Sequence, residues 1–116
     1  MSTSKKYKIY THRSQSAPPF IQIPESDLWE ANNKLSKSGF TLYLYLAKNS
    51  ENYLSEFGVR DLENQGIINH SSAIRGLKEL IEKGYINGEH FYVESREKRL
   101  KKIEIQKEIN NIMRDN

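Results

Sequence analysis

The feature that most constrains this chain is the stretch 71–93, where a strongly amphipathic helix runs without a spacer into a β-hairpin. Ile74, Leu77, Leu80 and Ile81 recur at helical spacing and mark one apolar face, and Arg75 with Glu79 and Glu79 with Lys83 pair opposite charges four residues apart. Gly84 stands where a helix needs a left-handed C-terminal residue, with Tyr85 placed to close on Leu80. Asn87-Gly88 follows, the dipeptide favoured in two-residue type I′ turns because both positions take positive φ. A turn there predicts strands on either side of it, with Ile86, Phe91 and Val93 sharing a core-facing side. Neither element can cover its own apolar face, so the rest of the chain has to supply another layer.

Upstream, residues 35–48 alternate like a strand at Thr41-Leu42-Tyr43-Leu44-Tyr45-Leu46, but the segment is about 14 residues long, well beyond the usual strand of about 5 or 6. Leu35, Leu42 and Leu46 follow helical spacing and Ser36 can cap the start, so this segment reads as helix. A short strand at 53–57 and a short helix at 59–65, with Val59 and Leu62 inward, lead to the 71–83 helix. Before them, Ser26 offers a cap for a short helix at 27–32 with Asp27 in its first turn, and Phe20-Ile21-Gln22-Ile23 is a strand candidate. Tyr43, Tyr45 and Trp29 read as core or core-edge aromatics.

Charge is unevenly placed. Residues 1–23 carry four bases and no acid, residues 24–93 carry seven bases and ten acids, and residues 94–116 carry seven bases and five acids. The net +3 therefore sits at the two ends, around a body of −3. Residues 1–19 are polar, basic and closed by Ser16-Ala17-Pro18-Pro19, which reads as a flexible arm bearing Lys5, Lys6, Lys8 and Arg13; Lys6-Tyr7-Lys8-Ile9-Tyr10 could instead form an edge strand if a neighbour offers one. Residues 20–94 read as the folded domain and 95–116 as a C-terminal helix. That helix has two apolar sides: Ile105, Ile109, Ile112 and Met113 on one, Leu100 and Ile103 on the other. One side is expected to pack on the body and the Ile105 side to join a second copy, giving a homodimer.

Residues 35–93 thus run helix, strand, helix, turn, helix, strand, strand, the order of a winged helix-turn-helix: an α+β fold with a three-helix core, a short hairpin wing and here an extra C-terminal helix. The stretches "LSKSGFTLYLYLAKN", "YLSEFGVRDLENQGI" and "SSAIRGLKELIEKGYI" resemble the winged-helix domains of replication-initiator and DnaD-like proteins from phages and plasmids of Gram-positive bacteria, over about residues 20–93. The resemblance implies that helix 71–83 reads double-stranded DNA in the major groove, in replication, transcription or conjugation control of a mobile element. Ser71, Ser72, Arg75 and Lys78 lie on its outer face and His70 at its start, where hydroxyls and amides can hold phosphate and Arg75 can contact guanine. The arm bases Lys5, Lys6, Lys8 and Arg13 would add backbone contacts, while a wing carrying Glu89 and His90 would add little.

Other classes find less support. There is no nucleophile elbow, phosphate loop or paired-carboxylate pattern, so no enzyme is expected. Cysteine is absent and His12, His70 and His90 lack ligand spacing, so no metal or cofactor is expected. No apolar run approaches the roughly 18 residues of a membrane span and the start lacks a signal-peptide core, which suits the cytoplasm. The acidic body supports one rival reading, a winged-helix protein-interaction module such as a replisome adaptor or an inhibitor of a host machine.

Overall fold

The computed structural model describes residues 6–13 and 23–114, so the strand expected at 20–23 and Lys5 fall wholly or mainly outside the described residues. Within them the fold is mixed α+β, with five helices and a four-stranded sheet. The elements are β1 (Lys6–His12), α1 (Glu25–Lys34), α2 (Lys37–Ala47), β2 (Leu54–Gly58), α3 (Val59–Asn64), α4 (His70–Glu82), β3 (Ile86–Asn87), β4 (His90–Tyr92) and α5 (Arg96–Arg114).

The sheet order is β2-β1-β4-β3. Residues 6–12 are therefore strand, as the alternation of Lys6 to Tyr10 allowed, and not flexible arm, but β1 is an inner strand and not an edge, antiparallel to β2 and parallel to β4. Its period of two explains why: Ile9 and Thr11 point into the core while Lys6, Lys8 and Tyr10 point out. The Thr11 hydroxyl, fully buried, donates to the Leu46 carbonyl at 3.2 Å and ties the strand to the end of α2. Alone the segment has too little apolar surface to order itself; two strand edges separated from it in sequence provide its hydrogen bonds.

Behind the sheet, α2 is the central helix. Ser36 caps it by accepting from the Gly39 amide at 3.3 Å, and Leu42, Tyr43, Leu46 and Ala47 are buried. Tyr43 packs edge-on to Tyr85 and Phe91, joining helix to hairpin. Helix α4 crosses α2 closely enough that a Cβ on Gly76 would lie 2.7 Å from the Ser38 carbonyl oxygen. The Glu79 carboxylate reaches from α4 to accept from the Ser36 amide and hydroxyl at 2.8–3.1 Å, a second fastening at the same crossing. Asp61 similarly closes the start of α3, accepting from the Gly58 amide at 2.9 Å.

Four local expectations are corrected. Helix α1 starts two residues earlier, at Glu25, and Ser26 does not cap it, its hydroxyl instead accepting from Lys98 at 3.0 Å. Trp29 is 54 % exposed, bonded to Glu25 rather than to the core. Ile81 is 56 % exposed because the buried set Ala73, Gly76, Leu77 and Leu80 is centred about 90° away from it on the helix. The hairpin turn is one residue further on: Asn87 pairs with His90, leaving Gly88-Glu89 as the loop. Only Gly88 has positive φ there, +63°, as in a type II′ turn, which needs a glycine at its first position alone. The expected inward set, Ile86, Phe91 and Val93, is buried, and the end of α4 closes as read, with Gly84 at φ +83° and the Tyr85 amide bonded to the Leu80 carbonyl at 2.9 Å.

Candidate nucleic-acid interface

Helix α4 is built to present one side. Asn69 caps it, its side chain accepting from the Ser72 amide at 2.9 Å, and Ala73, Gly76, Leu77 and Leu80 bury one face against the body. At about 100° per residue, Ser71, Arg75, Lys78 and Glu82 fall within about 60° of one another on the opposite face. Ser71, Arg75 and Lys78 are exposed and Ser72 is half-buried. Arg75 lies back along the helix, donating from Nη2 to the Ser72 hydroxyl at 3.1 Å, and Lys78 makes no ion pair among the described residues.

The start of α4 is already occupied. The His70 amide donates to the Glu63 carboxylate at 2.9 Å, the Ser72 amide to Asn69, and the Ala73 amide to the Asn69 carbonyl. A carboxylate therefore stands where a phosphate would be held, and His70 is half-buried behind it. The side chains left exposed on this face include Ser71 at its start and Arg75 and Lys78 in its middle. Sequence spacing holds no sign of Glu63, which lies seven residues before His70 across a turn.

The basic residues of the amino-terminal segment separate. Lys6 and Lys8 are exposed on the outer side of β1, Lys6 3.9 Å from Asp61 and Lys8 opposite Glu56. Arg13 faces inward instead: its guanidinium donates to the Ala47 carbonyl and, at 3.3 Å, to that of Asn49, and its backbone amide meets Glu51. Burial lowers the pKa of that guanidinium, an effect that its neighbours Tyr43 and Glu51 oppose. Arg13 fastens the chain after β1 to the end of α2, so its guanidinium is engaged within the fold, apart from the exposed Lys6 and Lys8.

Helix α5 meets the body through its first two turns only. Ser95 caps it, accepting from the Lys98 amide at 3.3 Å; Lys98 is bonded to Asp27 at 2.5 Å, and Arg99 donates to the Glu94 and Gly84 carbonyls at 2.9 Å while lying over Tyr92. No residue of α5 is buried, which corrects the expectation that one apolar side packs on the body. The proposed dimer residues Ile105, Ile109, Ile112 and Met113 are 57, 44, 65 and 71 % exposed. Among the described residues no group of three or more His, Cys, Asp or Glu side chains is arranged to hold a metal, and no helix is long and apolar enough to cross a membrane. Compared with protein-family models, curated proteins and solved structures, the chain finds no match.

Proposed function

We propose that α2, β2, α3, α4 and the β3–β4 hairpin form a winged helix that binds duplex DNA, with α4 as the reading helix. The observation that carries this reading is the division of α4 into a face sealed against α2 and a face offering Arg75 and Lys78 to solvent, preceded by the short helix α3. The resemblance to replication-initiator and DnaD-like domains favours a role in replication or transcription control, and the exposed isoleucines of α5 favour a dimer acting on a two-fold site. Arg75 can reach guanine in a bidentate contact and Lys78 a phosphate, while Lys6 and Lys8 add charge that does not discriminate sequence.

Selection of a preferred duplex from a random pool, followed by binding of variants, tests it. Arg75→Ala should cost about 1 to 3 kcal/mol on the preferred site and relax preference at one base pair. Lys6→Ala with Lys8→Ala should weaken all duplexes alike and flatten the salt slope by about one unit for each phosphate that is no longer neutralised. If Arg75→Ala and Lys78→Ala together leave affinity and preference unchanged in a folded protein, α4 is not the reader. A protein-interaction module then becomes the better reading, favoured by the Glu63 carboxylate at the start of α4.

A further inference from the structure

The outer side of the sheet carries a row of rings that the DNA reading does not use. Tyr10 stacks on His90 with centroids 5.8 Å apart, His90 meets His12 at 5.0 Å, and His12 stacks on Tyr92 at 5.0 Å. At its centre, His12 Nε2 and His90 Nδ1 are 2.8 Å apart, a direct imidazole–imidazole hydrogen bond. The other nitrogen of His12, Nδ1, is 3.2 Å from Glu51. The rings bridge β1 and β4, whose pairing spans three residues of each strand. The groups facing the pair are Glu51 and the Arg13 amide bound to it, Tyr10 from β1, Tyr92 from β4, and Arg99 of α5 on the Tyr92 ring.

From this geometry we propose that the His12–His90 bond is a proton-controlled latch holding β1 to the β3–β4 hairpin. With no added proton, His12 keeps its hydrogen on Nδ1 toward Glu51 and accepts at Nε2 from His90 Nδ1–H. With one added proton on His12, the direction reverses and Nε2–H donates to a bare His90 Nδ1. With two, both facing nitrogens carry hydrogen, no acceptor is left between them, and two cationic rings are held in contact. The closed latch holds at most one added proton and the open form two, so acid favours opening. The first proton leaves the bond closed and sets a cationic His12 beside Glu51, so closure is lost only on the acid side, where the second proton is taken up by the open form alone. One extra proton in the open form makes the opening constant rise by up to about tenfold per pH unit.

Native-state hydrogen exchange on the full chain tests this between about pH 8 and about pH 5, where imidazole changes charge. The Tyr10 amide, bonded to the Glu89 carbonyl at 2.7 Å across the β1–hairpin seam, is the reporter, and the Tyr85 amide at the end of α4 is the control. Protection of Tyr10 is expected to fall by up to about tenfold per pH unit on the acid side while that of Tyr85 holds. A side-chain amide takes no proton here and offers both donor and acceptor, so His90→Asn should keep Tyr10 protected across the range. His12→Gln, made in case His90→Asn disturbs the turn, should do the same. A flat wild-type profile, or an acid loss that persists in whichever variant folds, overturns the latch. DNA is absent from the measurement, so its outcome is independent of the reading proposed for α4.

Discussion

Tyr43 shows how one side chain couples the fold to pH at the alkaline end. The residue is fully buried and its hydroxyl donates to the Val93 carbonyl at 2.7 Å, tying α2 to the end of the hairpin. Beside it Tyr85 is also buried, and its hydroxyl has no hydrogen-bond partner among the described residues. Burial pushes both phenols up, Tyr85 to about 12 and Tyr43 further, since a phenolate there would be both desolvated and close to Asp27 and Glu30. A phenol whose folded pKa is raised contributes stability that is complete below its unfolded value and is lost as pH rises toward the folded one. Stability should therefore begin to fall above about pH 10, where the unfolded chain begins to release these protons. Tyr43→Phe should lose about 0.5 to 1.5 kcal/mol at neutral pH, for the hydrogen bond, and retain more of its stability at high pH than the wild type does. Denaturant midpoints with pH, alongside phenolate absorbance, check it; equal alkaline losses in both proteins would show that Tyr43 does not carry the effect.

At the scale of elements, α5 divides at its second turn. Lys98, Arg99 and Lys102 hold the start of the helix to Asp27, Gly84 and Glu94, and nothing from Ile103 onward touches the body closely enough to be buried. Removing residues 104–116 should leave the stability of the body unchanged within about 0.5 kcal/mol, whereas ending the chain at Glu94 should cost several times that. The longer deletion leaves the buried Asp27 carboxylate without its cation. Equal stability of the two truncations in denaturant would mean that the clasp contributes nothing. The same division sets what sequence can show. Helices α2, α3 and α4 are legible because each buries one periodic face and carries its own cap or stop, as Ser36 and Gly84 do. β1 is legible only as an alternative to a flexible arm, because the alternation of Lys6-Tyr7-Lys8-Ile9-Tyr10 permits a strand but the partners that order it, β2 and β4, are distant in sequence. The hairpin is legible as an element, but its turn lies one residue beyond the expected place because Gly88 suits either of two adjacent turn positions. At the candidate site, the exposure of Arg75 and Lys78 follows from helical period, whereas the inward turn of Arg13 and the Glu63 carboxylate at α4 depend on tertiary contacts.

For the whole molecule, charge and apolar surface pull association in opposite directions. The chain extends 64 Å along its longest axis against 28 and 27 Å across it. Helix α5 carries seven bases and three acids, a net +4, together with six exposed apolar side chains from Leu100 to Met113. Exposed apolar side chains on both sides of one helix favour association, yet two copies of a helix with net +4 repel at low ionic strength. Salt screens that repulsion while leaving apolar contact intact, so self-association should strengthen as salt rises from about 0.05 M to about 0.2 M. The DNA binding proposed for α4 should weaken over the same range, because each phosphate neutralised by a base releases counterions. Sedimentation of the full chain at tens of micromolar, roughly the concentration that populates a dimer of micromolar affinity, should show a heavier species at the higher salt. Ile109→Glu should reduce that species without lowering the thermal midpoint, since Ile109 is exposed and lies outside the core. A monomer at both salt concentrations would rule out α5 as a self-association surface, and a dimer that weakens with salt would place the contact among the charged side chains instead.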